Sequence, residues 1–186
     1  MSKPSEIADH QHALSVYLND MLHENKVDDA HQSPPINDNW RASSFKALLF
    51  DVQGLQIAIP SHQLSAILTL EKDKLSPSKQ KSNWFLGGYK QDQKTIQLVE
   101  TSRIILPTDY QSKISSTNFI ITITGQKWGL SCDKVNKVIS ISPDEVKWRQ
   151  QSASRMWLAG TALKKNCSIL NIEALVKQLE HEYVNV

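Results

Sequence analysis

The sequence has two cysteines, six glycines and a net charge of only +2 in 186 residues. Cys132 and Cys167 form no CxxC pair, so there is no zinc signature and no disulfide framework. The modest glycine content and the 40% hydrophobic share exclude collagen and wholly disordered chains. A charge of +2 is too weak a field to hold nucleic acid by bulk attraction. No apolar run approaches the roughly 20 residues that span a bilayer. The opening Met1-Ser2-Lys3-Pro4-Ser5-Glu6 lacks the apolar stretch and cleavage site of a secretory signal. These absences lead to the expectation of a cytoplasmic protein with reduced thiols and no direct membrane insertion. G-x-S-x-G, H-E-x-x-H and G-x-x-x-x-G-K are also missing, so no enzyme, cofactor or metal site is expected. His10 and His12 lack the further ligands a metal needs.

What charge there is lies unevenly. Residues 1–44 hold seven acidic and three basic side chains, an excess of −4, and the remainder holds +6. Four of the six histidines also lie in this arm. From Glu24 to Ser44 there is no periodic apolar pattern, and Ser33-Pro34-Pro35 breaks any helix. That stretch reads as a flexible linker. Before it, Leu14, Tyr17, Leu18, Met21 and Leu22 fall on one face of a helix. A helix so short is marginal alone in water and needs a surface for its stripe. That surface is either the chain's own domain or the groove of a partner.

From Phe45 onward the pattern is that of strands. Phe45 to Val52, the turn Gln53-Gly54, and Leu55 to Pro60 read as a hairpin. Phe119 to Thr124 and Trp128 to Cys132, around Gly125, repeat it. A shift of 73 residues carries Phe50 onto Ile123, Leu55 onto Trp128 and Ile57 onto Leu130. It also carries Trp84-Phe85-Leu86-Gly87 onto Trp157-Leu158-Ala159-Gly160, Ile96 onto Ile169, Val99 onto Ile172 and Glu100 onto Glu173. Gly54 and the strand after Leu64 prefer a shift of 71. Such a period is too long for a solenoid and suggests two small β barrels of common plan. Helices are expected at Thr101 to Leu106, after the cap Ser142-Pro143, and in the C-terminal segment. There Ile172, Leu175, Val176, Leu179 and Tyr183 share one face.

Two motifs carry a resemblance to the CheW-like coupling domain of bacterial chemotaxis. One is Trp84-Phe85-Leu86-Gly87-Gly88-Tyr89 leading into Ile96-Gln97-Leu98-Val99-Glu100. The other is Gly129-Leu130-Ser131-Cys132-Asp133-Lys134-Val135-Asn136-Lys137-Val138. The resemblance covers Phe45 to Tyr183. It implies a mainly β domain at 45–186 with two SH3-like five-stranded barrels and a C-terminal helix, preceded by the helix and linker of 1–44. It further implies a non-catalytic adaptor that joins a CheA-type histidine kinase to chemoreceptor cytoplasmic tips. Two positions depart from the family pattern. Lys90-Gln91-Asp92-Gln93 stands where the family carries an N-x-R-G turn, and Asn171 replaces an acidic residue. The Trp-rich second half is similar to the divergent ParP-type proteins. That similarity implies polar positioning through the N-terminal helix, with a ParA-like ATPase as partner.

Trp84, Tyr89, Trp148, Arg149 and Trp157 are the candidate contact residues in the body, beside Leu14, Tyr17, Leu18, Met21 and Leu22 in the arm. Trp is favoured at interface hot spots. Trp148, between Lys147 and Arg149, reads as the most exposed. Trp84 and Trp157, at equivalent places, read as core or interface. The rival reading is a single-stranded nucleic-acid-binding β barrel. It rests on Lys72, Lys74, Lys79, Lys81, Lys90 and Lys94 interleaved with Trp84 and Tyr89, where bases would stack. Cys132 and Cys167 read as small core residues.

Overall fold

A computed structural model of the chain describes residues 39–79, 82–111, 117–150 and 154–184. The helix expected around Leu14, Tyr17, Leu18, Met21 and Leu22 lies outside the described residues. Six strands come from the first copy of the repeat: β1 (Phe45–Val52), β2 (Leu55–Pro60), β3 (Leu64–Thr69), β4 (Leu75–Pro77), β5 (Phe85–Gln91) and β6 (Lys94–Val99). Six more follow: β7 (Phe119–Ile123), β8 (Trp128–Cys132), β9 (Lys134–Ile141), β10 (Val146–Trp148), β11 (Leu158–Ala162) and β12 (Cys167–Leu170). A short helix α1 (Thr101–Ile105) ends the first copy and a longer one, α2 (Ile172–Val184), ends the second. The three-residue strands β4 and β10 bring each sheet to six strands, where the sequence led to five.

The two copies are interleaved rather than folded side by side. One sheet has the order β10-β11-β12-β2-β1-β9 and the other β3-β7-β8-β6-β5-β4. Each copy therefore lends its first hairpin to the other copy's remaining strands. The chain changes sheet at the single turn Ser61–Gln63 and again at Asp133, between β8 and β9. Two parallel pairings, β12 with β2 and β6 with β8, join the lent hairpin to its host.

The pairing registers define which residues are equivalent. Leu48 pairs with Val138 and Ile121 with Ile67. Tyr89 pairs with Ile96, and Ala162 with Cys167. These ladders place β1 and β5 at a shift of 73 and β2, β3, β4 and β6 at 71. Ile57 thus corresponds to Trp128, Leu98 to Ile169 and Glu100 to Asn171, which corrects the shift of 73 read for these residues, while the 71 read for the strand after Leu64 agrees with the ladders. The physical reason is hairpin length. The first copy continues both hairpins past those pairs, to Val52–Leu55 and Gln91–Lys94, while the second turns at once.

Each sheet buries both faces of its central strands, such as β1, β2 and β12 in the first and β7 and β8 in the second. One face closes on its own small core: Phe45, Leu49, Ala58, Ile141 and Ile169 in the first sheet, Tyr89, Leu98 and Ile120 in the second. The other face meets a shared central core that includes Phe50, Ile57, Trp84, Trp128, Leu130 and Trp157. Helix α2 presses Ile172, Leu175, Val176 and Leu179 into that shared core, as the period of its sequence predicts. Burial on two sides explains why the strands read as near-continuous apolar runs. Residues 39–44, placed in the linker by the sequence, join the body. Trp40 stacks edge-on against Phe45 at 4.9 Å and Trp148 at 5.7 Å.

The helix start expected at Ser142 yields one 3-10 turn, Pro143–Glu145, with a capping box between Ser142 and Glu145. It goes no further because Val146 is already extended and pairs with Ala162.

Candidate functional site

The shared W-x-x-G motif builds a structural joint. Trp84 and Trp157 are almost wholly buried. The backbone N–H of Glu100 donates to the Trp84 carbonyl, and that of Asn171 to the Trp157 carbonyl, each at 2.7 Å. Both β5 and β11 slip register next to this point, between Phe85 and Gly87 and between Leu158 and Gly160. A Cβ on Gly87 would run into the Ser76 carbonyl oxygen, and one on Gly160 would lie 2.8 Å from that of Lys147. The glycines are there so that β4 and β10 can approach.

The structure places four of the body's candidate contact residues in or against the cores. Trp84 and Trp157 are core. Tyr89 is 1% exposed, and its hydroxyl donates to the Thr69 carbonyl at 3.0 Å. Trp148, expected to be the exposed one, is half-buried. Its indole N–H donates to the Pro143 carbonyl at 3.2 Å, and its ring packs with Trp40 and Phe45. The Arg41 guanidinium lies 5.3 Å from both the Trp40 and Trp148 rings. Composition alone does not separate such an aromatic cluster from an interface, because Trp serves both. Arg149 is half-exposed and reaches toward Ser154.

The acidic residue of the second motif is structural as well. Asp133 accepts the Gln53 backbone N–H on Oδ2 at 2.6 Å and donates its own N–H to the Asp51 carbonyl at 2.9 Å. It therefore holds the β1–β2 turn, where Gln53 and Gly54 adopt φ of 50° and 85°, at the point where the chain changes sheet. Asn136 Nδ2 supports it by donating to Asp51 Oδ1 at 2.8 Å. The thiols are inert: burial pushes Cys132 up to about 12 and Cys167 up to about 11. Among the described residues no three His, Cys, Asp or Glu side chains gather for a metal.

What the surface does offer is apolar and paired. Strand β3 ends one sheet and β9 ends the other. Ile67 on β3 is 42% exposed and Val138 on β9 is 54% exposed. They are equivalent residues, since Ile67 faces Ile121 and Val138 faces Leu48 across their ladders. Neighbours Leu68 and Ile139 point inward and pack on the cores. Sequence alternation alone did not reveal this, because which end strand stays unpaired depends on the exchange of hairpins. A third feature is a groove of about 410 Å³ between α1, α2 and the start of β11. Ile104 to Pro107, Met156 and Trp157 line it together with the polar Arg155, Gln178 and Glu182. No helix among the described residues is long and apolar enough to cross a membrane.

The described residues thus form two interleaved β sheets, each with an exposed apolar residue on one end strand. The CheW-like domain family matches residues 46–180. The chain belongs to the CheW-like domain family. A solved structure described as the scaffolding protein TtCheW from Thermoanaerobacter tengcongensis shares the fold at a TM-score of 0.55 and 16% identity, over 68% of this chain and 86% of that one. Comparison with curated protein sequences gives no match.

Proposed function

We propose that the chain is a non-catalytic coupling scaffold of chemotaxis signalling, which holds a CheA-type histidine kinase and chemoreceptor cytoplasmic tips in one assembly. The observation that carries this reading is the pair of equivalent outward residues, Ile67 and Val138, on two end strands of one domain. A module that offers the same kind of surface twice can engage two partners at once. Moderate contacts joined in one chain raise effective concentration and stabilise an array. Membership of the CheW-like family supports the same reading. Residues 1–44 would serve placement at the cell pole. The family match begins at residue 46, so a ParA-like ATPase is not part of the proposal.

The test is binding of the kinase's regulatory domain to Ile67→Glu and Val138→Glu. Each substitution lies on an exposed side chain, so each should lower affinity tenfold or more for one partner with an unchanged melting temperature. Unaltered binding of kinase and receptor by both variants would overturn the reading. The nucleic-acid rival loses its main support, because Trp84 and Tyr89 are buried and offer no face for base stacking.

A further inference from the structure

The small core of the first sheet is built from smaller residues than that of the second. Ala159, Ala162 and Cys167 stand where the second has Leu86, Tyr89 and Ile96. Larger rings make up the difference. Phe45 takes the place that Asn118 holds in the other sheet, and Trp148 that of Pro77. Trp40, which precedes the first strand, packs against both rings. Close-packed interiors need such compensation.

The two sheets are also closed differently. In the second, the Tyr89 hydroxyl donates to the Thr69 carbonyl at 3.0 Å and ties β5 to the end of β3. Ala162, its equivalent, has no such group. The first sheet is bridged instead by Trp40. Its ring lies 5.7 Å from Trp148 on β10 and 5.8 Å from His62, in the turn where the chain leaves for β3. The Arg41 guanidinium covers both tryptophan rings, and the Ser44 and Ser142 hydroxyls share a hydrogen bond at 3.1 Å.

We propose that residues 40–44 are a strap that opens and closes on the first sheet, and that Trp148 and β10 open with it. The hold is made largely of ring contacts, each individually modest. Trp40, Arg41 and Trp148 are half-buried and residues 42–44 are exposed. A segment buried only in part opens below the free energy of global unfolding. Strand β10 is three residues long and ends its sheet. In the turn beside Trp40, Ser61 Oγ and Gln63 Oε1 are buried without a hydrogen-bond partner among the described residues. Opening that corner to water would satisfy both.

The chain before residue 40 joins the body through this strap. A ligand on that part of the chain would reach β10 through Trp40. It would shift the strap only by as much as its affinity differs between the two states. The inference stands apart from the coupling proposal, which rests on Ile67 and Val138.

Fluorine NMR of the full chain labelled with fluorotryptophan tests it, because the five tryptophans each report their own surroundings. The signals of Trp40 and Trp148 should be broadened or doubled by exchange at one shared rate, while Trp84, Trp128 and Trp157 stay sharp. Static signals from Trp40 and Trp148, or two different rates, would overturn the proposal. Hydrogen exchange gives a second readout through two equivalent amides. The Arg149 N–H donates to the Ala159 carbonyl at 2.9 Å, and the Ser78 N–H to the Leu86 carbonyl at 3.0 Å. Trp40→Ala should speed exchange at Arg149 at least tenfold and leave Ser78 unchanged. Trp40→Phe, which keeps a ring, should restore most of the protection. Equal acceleration at both amides would make Trp40 an ordinary core residue and overturn the strap. So would an unchanged rate at Arg149.

Discussion

Glu100 and Asn171 occupy the same position in the two copies of this fold, although one is an acid and the other an amide. Both donate their backbone N–H to a tryptophan carbonyl at 2.7 Å. Both then open a helix. Glu100 accepts the Ser102 hydroxyl on Oε1 at 3.1 Å. Asn171 accepts the Ala174 N–H on Oδ1 at 3.2 Å, as an N-cap does. A family-pattern departure at Asn171 thus coincides with the copy whose helix runs longer, from Ile172 to Val184.

Replacing that cap should loosen α2. Asn171→Ala is expected to cost about 1 kcal/mol, and Asn171→Asp little, because Asp also accepts from the third amide. Urea denaturation of the three proteins measures both. Equal stability of Asn171→Ala and the native chain would show that Oδ1 contributes nothing.

The W-x-x-G joint predicts a strong effect from a small change. Gly87→Ala adds a methyl that meets the Ser76 carbonyl oxygen and the Ser78 N, on a backbone at φ of +135°. It should destabilise by more than about 2 kcal/mol. Gly125→Ala should cost less, since nothing lies within 4 Å of its added Cβ and only its φ of +70° is strained. Thermal melts of the two variants should keep that order.

The aromatic cluster gives a third test. Trp148→Ala removes a half-buried ring from Trp40, Phe45 and Arg41. It should cost about 2 kcal/mol, or a fall in melting temperature of roughly 4–8 °C for a chain of this length. From sequence Trp148 reads as the most exposed candidate contact, and an exposed ring would be removed with little effect on stability. Calorimetry that finds no shift would restore that expectation.

The buried thiols set an alkaline limit. In the unfolded chain they lose protons from about pH 8.5, whereas in the folded chain Cys132 holds its proton up to about 12 and Cys167 up to about 11. Between those values the unfolded state binds fewer protons, so stability falls as pH rises. The slope is about 1.4 kcal/mol per pH unit for each thiol. Cys132→Ala should flatten the stability profile above pH 9 without changing its slope near neutrality. A profile identical to that of the native chain would exclude this source.

Some of the fold was legible from residue pattern. Phe45 to Pro60 reads as a hairpin because its alternation and Gln53-Gly54 turn are local, and α2 reads from its 3.6-residue period. The repeat showed through Trp84 and Trp157, whose motif is compact. Its register showed only in part: the strand after Leu64 reads at 71, but the same shift for β2 and β6 is visible only once Phe50–Ile57 and Tyr89–Ile96 are matched to pairs of the second copy. The candidate contacts fared differently. Trp84, Tyr89, Trp148 and Trp157 were singled out by residue type, and residue type does not distinguish burial from exposure. Ile67 and Val138 looked like ordinary strand residues.

By itself the sequence determined the hairpins, the caps, the period and the division of charge between arm and body, since each depends on neighbours a few residues away. Tertiary structure alone decided that the two copies exchange their first hairpins. That exchange depends on parallel pairing between β2 and β12 and between β6 and β8, residues more than 30 apart in the chain. It leaves β3 and β9 at the sheet ends, and so turns Ile67 and Val138 outward while it closes the tryptophans in.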